Sequence, residues 1–462
     1  MKKFFKYLLI AIKGEEKTYT EGSIKKALFL LSVPIVLEMS MEALFAICDA
    51  FFVSLLGNEE FLATIGLTET SLFVVISLAL GISMAATAMV SRRIGEKNPE
   101  AAADAAFQSL LIALFFSFLI GVFGFFYTPE LLTFLGGSEK LVEEGTPYAR
   151  IMITFNVFLF MLFAINAIFR GAGDASIAMR TLFLANGLNI ILDPCLIFGL
   201  GPFPELGFKG AAIATCIGRG VGVCYQVYHL VNGKSLIHLT MRNVRIMWGT
   251  IVKLLNVSAG AAGQHLITSS SWLFMITIVA SFGSEVLAAY TIAFRVIAFT
   301  ILPAWGIAMA SAALVGQNLG AGKPDRAEAS VWKASFYNMI FLGVISAIFL
   351  IFAPEVVRIF SDNPNVISNG ALALRIIMAG YVFYAYEMVI GQSFNGAGDT
   401  YTPTYLNFIA FWIIQIPLSY VLAHYTPLEA TGIYVSIAVS SIILTLLAVW
   451  VFRWGRWKTI QI

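Results

Sequence analysis

Three carboxylic acids fall within one long apolar segment near the start of the chain. Glu38, Glu42 and Asp49 are spaced by four and then seven residues, so they share one face of a helix. Ionisable groups are costly inside a membrane span, and they commonly mark an ion or proton pathway. Pro34 lies one turn before Glu38 and predicts a kink, because proline cannot donate the backbone hydrogen bond. The alternative is a static kink beside carboxylates that have only structural partners.

A second polar set lies in the fifth apolar segment. Asn189 and Asp193 are four residues apart and therefore share a helix face. Asp193 and Asp49 each lie roughly 10 Å from the same end of their helices. Carboxylate, amide and hydroxyl oxygens suit a hard cation such as Na⁺, and carboxylates also suit proton uptake. Interhelical hydrogen bonding is the alternative role for the amide and the hydroxyl. Three further polar residues fall near the same level: Glu69, Asn156 and Thr215.

The second half of the chain carries a different polar set in its apolar segments. Glu387 is the strongest functional candidate there, whereas His265 is more often a hydrogen-bonded structural residue at such a place. We interpret Arg219 and Arg295 as partners that neutralise the acids. The excess of acids in the spans predicts a cavity for small organic cations, with cation–π contacts available from the 14% aromatic residues. The remaining polar residues of this half include Gln264, Asn407 and Gln415.

The composition predicts an all-α membrane protein. The chain has 59% hydrophobic and 12% charged residues, against about 25% charged in soluble domains. Open sheet edges are not tolerated in lipid, so segments of this length and apolarity are expected to be helices. No nucleotide loop, zinc motif or Ser-His-Asp set is present, so we expect neither an enzyme, nor a cofactor, nor a nucleic-acid partner. The twelve predicted spans are 27–55, 61–90, 103–127, 147–169, 176–199, 207–231, 250–281, 286–316, 327–353, 371–394, 401–424 and 430–452.

The chain contains two copies of one unit. Residues 81–174 align with 306–399 without a gap, at a constant offset of 225, and both copies carry Gly-Ala-Gly-Asp. We interpret this tetrapeptide as a turn whose acid, Asp174 or Asp399, caps the next helix. Six spans per copy make the copies parallel repeats. The predicted units are an amphipathic N-terminus (1–26), an N-lobe (27–231), a linker (232–249), a C-lobe (250–453) and a tail (454–462).

The distribution of basic residues predicts the orientation. Of the 29 Lys and Arg, 22 fall on the face shared by the termini, among them Arg92, Lys234 and Arg326. The positive-inside rule therefore places both termini in the cytoplasm and the protein as a multi-pass component of the inner membrane. Residues 1–26 are expected to include a basic helix on the membrane surface. A signal peptide is the alternative, but no small-residue cleavage site follows the short apolar run.

At this point the sequence resembles the multidrug and toxic compound extrusion (MATE) family, prokaryotic type. The motifs are "ICDAFFVSLLG" after Pro34, "VSRRIGEKNP", "RGAGD", "LNIILDP", "GAAIAT", "VLAAYTIAFRV", "VGQNLGAGKPDRA" and "NGAGDTYTP". The resemblance implies two six-helix lobes around a V-shaped central cavity, and antiport of organic cations against H⁺ or Na⁺. It implies an N-lobe cation site formed by Asp49, Asn189, Asp193 and Thr215, where Na⁺ is one possible bound ion. It also implies a role for Asn166.

We therefore predict a secondary antiporter that exports small organic cations and acts as a monomer among membrane lipids. Glu38 and Glu42 go beyond the family pattern and suggest a second protonatable step or a different substrate charge. The alternative function is a flippase for lipids or lipid-linked oligosaccharides, which predicts basic residues around the cavity instead. A membrane-embedded enzyme is a third class, but no residue set in the sequence specifically supports it.

Overall fold

The architecture is entirely helical within the residues that the structure describes. A computed structural model describes residues 2–14, 19–57, 59–232 and 235–462. The helices of the first half are α1 Lys2–Lys13, α2 Ile24–Ser54, α3 Glu59–Gly95, α4 Pro99–Phe134, α5 Glu139–Thr154, α6 Val157–Ala172, α7 Ala175–Phe198 and α8 Phe208–Val231. Those of the second half are α9 Trp248–Ala280, α10 Ser284–Gly320, α11 Pro324–Arg358, α12 Pro364–Ala397, α13 Tyr401–Asn407, α14 Ile416–Tyr425 and α15 Ala430–Arg453.

The two-repeat, twelve-span layout predicted from the sequence is confirmed. Helices α3, α4 and α10, α11 begin at residues 59, 99 and 284, 324, which keeps the offset of 225. Within the described residues, ten spans are long and apolar enough to cross a membrane by composition alone. The other two are α8, which carries Lys209 and Arg219, and α9, which is rich in Ser, Thr and Gly. These two spans are recognised by their place in the repeat.

Two predicted spans have irregular centres. The fourth span is two helices, α5 and α6, separated at Phe155 and Asn156. The Asn156 amide donates to the carbonyls of Ser117 and Ile153, and a side chain that bonds nearby backbone competes with helix continuity. The eleventh span joins α13 to α14 through a π-helical segment, Phe408–Gln415. Pro417 follows that segment and cannot donate a backbone hydrogen bond to it.

The Gly-Ala-Gly-Asp motifs form the predicted turns. Gly173 and Gly398 have φ of 87° and 89°, the left-handed region that glycine adopts without strain. Asp399 accepts a hydrogen bond from the Thr402 backbone amide, as expected for a cap. Asp174 stands at the N-terminus of α7, but its side chain makes no capping hydrogen bond to the α7 backbone. It accepts a hydrogen bond from the Ser176 hydroxyl instead. The capping prediction is therefore confirmed for the second copy and wrong for the first.

Three helix pairs make the most extensive contacts between the two lobes. Helix α3 packs against α9, α10 packs against α2, and α3 packs against α10. We call the side that carries α1 and the turns after α3, α6, α8, α10 and α12 the terminal face, and the opposite side the far face. Gly81 packs against the α9 backbone at Ser258, and its repeat counterpart Gly306 packs against the α2 backbone at Val36. Close backbone approach of this kind is how small residues join membrane helices.

Connecting segments also cross between the lobes at the terminal face. The linker docks on α4, where Asn243 and Arg245 donate to Asp104 at 2.8 and 2.9 Å. The predicted tail turns back toward the first lobe, and Arg92 donates to the Ile460 carbonyl at 2.6 Å. Lys234, which the sequence analysis placed in the linker, lies outside the described residues. The predicted boundaries of the N-terminus (1–26), the linker and the tail remain predictions. The described parts of the linker and the tail contact the first lobe at the terminal face.

Candidate functional site

A compact polar cluster lies between α7 and α8 in the first lobe. The Asn189 amide donates to the Thr215 hydroxyl at 3.1 Å and to the Asp193 carboxylate at 3.3 Å. Asn189 and Asp193 reach the same point because they are one helical turn apart on α7. All three side chains are buried. The structure therefore brings together three of the four residues expected for the N-lobe cation site.

Several oxygen atoms in this region lack protein partners. Asp49 Oδ1, Asn189 Oδ1 and Asp193 Oδ2 are shielded from solvent and accept no hydrogen bond. The carboxylates of Asp49 and Asp193 are close enough to repel each other. Buried polar atoms are normally satisfied, and oxygen acceptors of this kind suit a proton or a hard cation. The described residues thus fit the predicted ion chemistry.

Asp49 faces a cavity of about 180 Å³ in the first lobe. The Arg219 guanidinium of α8 attracts the Asp49 carboxylate, and the Glu69 carboxylate of α3 repels it. Tyr148 of α5 also lines this cavity and stacks on Phe208 with ring centroids 4.3 Å apart. Among the predicted residues, the cavity is lined by Asp49, Glu69, Asn156 and Thr215.

Glu38 belongs to a separate network nearer the terminal face. Its carboxylate accepts from the Arg170 guanidinium at 2.6 Å and from the Asn166 amide at 3.1 Å. Asn166 in turn accepts from Gln226 at 2.5 Å. Glu38 and Arg170 are both almost fully buried. The predicted stripe on α2 therefore divides, with Asp49 in a cavity and Glu38 in a buried ion pair, where Glu38 Oε2 accepts no hydrogen bond.

Glu42 lies between these two networks on α2. It accepts a hydrogen bond from the Asn186 amide of α7 at 2.9 Å, so it also has a protein partner. Pro34 is buried within α2, which is helical from Ile24 to Ser54. That α2 bends at Pro34 during transport stays a prediction.

A larger cavity of about 340 Å³ lies between α3 of the first lobe and α9, α10 and α12 of the second, and we call it the second-lobe cavity. Its acids are Glu387 of α12 and Glu69 of α3, and Glu69 also lines the first-lobe cavity. The two cavities therefore meet at Glu69. Four aromatic side chains contribute to the wall: Phe73, Trp272, Trp305 and Tyr384.

Gln264 and His265 also line the second cavity. The Gln264 side chain accepts from the Asn395 amide at 3.1 Å, which ties α9 to α12. The His265 ring lies 5.7 Å from the Trp305 ring, and its Nε2 has no hydrogen-bond partner. Asn407 donates to the Thr268 hydroxyl at 3.1 Å. Gln264 and Asn407 are therefore hydrogen-bonded wall residues, whereas His265 contacts Trp305 through its ring and its Nε2 is not hydrogen-bonded as the sequence predicted.

Four residues of these networks were not singled out from the sequence. They are Tyr148, Arg170, Asn186 and Gln226. Arg170 is one of the 22 basic residues predicted on the face shared by the termini, yet its side chain is buried against Glu38. A signal existed for Arg170, which lies one turn after Asn166 and so shares its helix face. The partners Glu38 and Arg170 are 132 positions apart, and periodicity does not reveal such pairs.

Comparison with known proteins gives a consistent result. The MatE family model matches residues 34–195 and 261–421. The chain is 27% identical to a probable multidrug resistance protein NorM of Thermotoga maritima, covering 94% of this chain and 93% of that protein. It is 25% identical to the probable multidrug resistance protein YoeA of Bacillus subtilis, covering 96% of each.

A solved structure has the same fold. It is described as the outward-facing conformation of a multidrug resistance MATE family transporter of the MOP superfamily. The TM-score is 0.88 at 27% identity, covering 95% of this chain and 96% of that one.

Proposed function

This chain belongs to the MatE family of membrane transporters, and from that premise we propose that it is a secondary antiporter exporting small organic cations in exchange for H⁺ or Na⁺. Multidrug efflux follows from the family and its relatives. The coupling ion and the charge of the substrate are the parts that we infer from the site. Because the family consists of transporters, we propose that the protein translocates its substrate across the membrane.

One observation carries the coupling proposal. Asp49, Asn189 and Asp193 hold orphaned oxygens in a buried region of the first lobe. Leaving such atoms without a partner costs about 1–3 kcal/mol each, and more for charged groups. A proton or a Na⁺ ion bound there removes that cost and the repulsion between the two carboxylates. The region is therefore built to take up positive charge from the far face.

Coupling requires that the ion and the drug compete for the same negative charge. Asp49 faces the first-lobe cavity, which joins the second-lobe cavity at Glu69. Ion uptake at Asp49 and Asp193 reduces the negative potential around both cavities and weakens the binding of a cationic drug. The ion shifts the transport equilibrium only through different affinities for the two states of the lobes. We propose that α2 rearranges at Pro34 when the charge is neutralised.

The cavity walls support a cationic substrate. Glu69 and Glu387 supply negative charge, while Trp272, Trp305 and Tyr384 offer aromatic faces that attract cations. The alternative function, a flippase for lipid-linked headgroups, calls for a basic cavity. Arg219 is the one basic side chain among the residues described around the first cavity, where it faces two acids. The acidic balance favours organic cations over pyrophosphate.

The orientation completes the proposal. The basic residues of the terminal face, such as Arg92 and Arg326, agree with a cytoplasmic location of that face in the inner membrane. Export then means that the drug enters from the terminal face and leaves at the far face, where the ion enters.

The test is efflux of a fluorescent organic cation from proteoliposomes that contain only this protein. A proton gradient and a Na⁺ gradient are imposed separately on wild type, Asp49→Asn and Asp193→Asn. We expect one gradient to drive efflux in wild type, and at least a tenfold lower rate in both variants. Asp362→Asn is the matched control, since it removes an exposed carboxylate in the loop after α11 and should leave efflux unchanged.

The outcomes separate the components of the proposal. Efflux by Asp49→Asn at the wild-type rate contradicts the coupling role of Asp49. Headgroup translocation without cation efflux favours the flippase. Thermal unfolding in detergent shows whether each variant is folded, so a lost rate is assigned to coupling only when the melting temperature is unchanged.

A further inference from the structure

A short segment before α2 lies across the seam between the lobes at the terminal face. Residues 19–22 lead through Ser23 into α2 of the first lobe, and we call them the strap. The buried Tyr19 side chain donates its hydroxyl to the Gly173 carbonyl of the first lobe at 3.3 Å. The backbone carbonyls of the same segment accept hydrogen bonds from the second lobe, at the start of α11. The strap therefore contacts both lobes.

Two cations of the second lobe hold the backbone of the strap. Arg326, in the first turn of α11, donates to three of its four carbonyls at 2.9, 2.9 and 3.1 Å. Lys323, which precedes α11, donates to the fourth, that of Thr20, at 3.1 Å and lies 3.9 Å from the Glu21 carboxylate. Hydrogen bonds from charged donors are stronger than neutral ones, and the planar guanidinium suits several acceptors at once.

The first lobe also holds the chain on both sides of the strap. Arg180 of α7 donates to the carbonyls of Ile12 and Lys13 at the end of α1, at 2.8 and 2.9 Å. On the other side the strap leads into α2, which packs against α7. If the lobes move apart at the terminal face, the strap moves with the first lobe and its contact with α11 breaks.

The repeat supplies a counterpart of this contact. The offset of 225 maps the strap onto residues 244–247 of the linker, just before α9. There Gln108 of α4 donates to the Arg245 carbonyl at 2.8 Å and accepts from the Met247 amide at 3.2 Å. The segment before the first span of each lobe therefore contacts the third span of the other lobe.

The two contacts differ in how the lobes are joined. The linker is covalently continuous with α8 and α9, so it connects the lobes in every state. The strap is continuous only with the first lobe and meets the second through noncovalent contacts. The cations that hold it belong to the second copy alone, because the offset of 225 maps Lys323 and Arg326 onto Asn98 and Ala101. The strap contact can therefore break while the chain stays intact.

We propose that the strap is a releasable latch between the lobes, which Arg326 and Lys323 hold in the state seen here and which must release before the terminal face opens. Contacts made only in the closed state lower the population of states that are open at the terminal face. This inference goes beyond the proposed transport, because it concerns the equilibrium between states of the lobes and involves neither the coupling ion nor the drug.

The test measures the separation of the lobes by double electron–electron resonance in detergent, without substrate or ion gradient. Spin labels are attached at Asn232→Cys and Trp454→Cys, exposed positions at the ends of α8 and α15, after the four native cysteines are replaced by serine. The double variant Lys323→Gln/Arg326→Gln removes both cations that hold the strap. We expect the ratio of long to short distances to rise at least tenfold over the labelled parent.

Two further variants make the result decisive. Arg242→Gln removes an exposed arginine of the linker and should keep the distances of the parent. Arg326→Lys keeps the charge without the forked donors and should raise the ratio by less than the double variant does. Thermal unfolding checks that each variant is folded, and Arg326→Lys carries the test if the double variant is not.

Two results would overturn the proposal. The first is the parent ratio in the folded double variant, or in Arg326→Lys where that variant carries the test. The second is an equal rise in Arg242→Gln, which would assign the effect to surface charge in general. Neither result bears on antiport, because no transport is measured.

Discussion

At the scale of single residues, the three acids of α2 have three different environments. Asp49 faces a cavity, Glu42 is bound to Asn186, and Glu38 is held by Arg170. Only Asp49 combines an orphaned oxygen with access to a cavity. This difference supports the proposed coupling role of Asp49 and predicts a structural role for the Glu38 pair, although the three residues look equivalent in sequence.

The Glu38 pair gives a prediction about stability. Glu38→Gln leaves the Arg170 charge buried without its partner, and breaking a buried pair in this way typically costs about 3–5 kcal/mol. We expect a clear fall in the melting temperature of the detergent-solubilised protein. Glu42→Gln is the matched control, because it lies one turn away and its amide oxygen still accepts from Asn186.

The double variant Glu38→Gln/Arg170→Gln tests the reason for that fall. Removing both charges leaves no unpaired ion, so this variant should melt above Glu38→Gln. The interpretation fails if Glu38→Gln has the same melting temperature as Glu42→Gln. It also fails if adding Arg170→Gln to Glu38→Gln lowers the melting temperature further.

At the scale of elements, helix contacts close the terminal face. A Cβ placed on Gly95 would overlap the carbonyl oxygen of Gln317, and one placed on Gly320 would overlap that of Arg92. These two glycines are repeat counterparts, so α3 and α10 cross in a nearly symmetric contact between the lobes. Gln317 adds a hydrogen bond to the Gly171 carbonyl at 3.0 Å. The contact belongs to the state seen here, and an opening at the terminal face must break it.

This contact predicts how the lobes respond to added bulk. Gly95→Val prevents the close approach of α3 and α10, so it should favour states that are open at the terminal face. We expect a cysteine replacing Met309, beside the small cavity near Arg170, to react with a maleimide about tenfold faster in that background. A tenfold change is ~1.4 kcal/mol in the equilibrium.

Gly343→Val is the control for this experiment. Gly343 lies within α11, and a Cβ there meets no atom within 4 Å, so it tests the helix propensity of valine without the contact. An unchanged labelling rate in Gly95→Val, or an equal increase in Gly343→Val, would contradict the role assigned to the contact.

At the scale of the whole molecule, the fold was largely predictable from the sequence and the networks were not. Apolar length and the offset of 225 predicted twelve spans and two parallel copies, because both are local or periodic signals. Helical spacing grouped Asn189 with Asp193, and equal depth placed Thr215 near Asp193, in agreement with their contacts. The pairing of Glu38 with Arg170 depends on how α2 packs against α6, which no pattern along the chain specifies.

We propose that an organic cation leaves the cell in exchange for H⁺ or Na⁺. Measuring the counterflux of the inorganic ion tests this exchange most directly. A gradient of the fluorescent organic cation alone is imposed on proteoliposomes, and internal pH and Na⁺ are recorded. Thermodynamic linkage requires the cation gradient to drive H⁺ or Na⁺ in the opposite direction. We predict such counterflux in wild type and none in Asp49→Asn. Movement of the cation without any counterflux of either ion would contradict antiport.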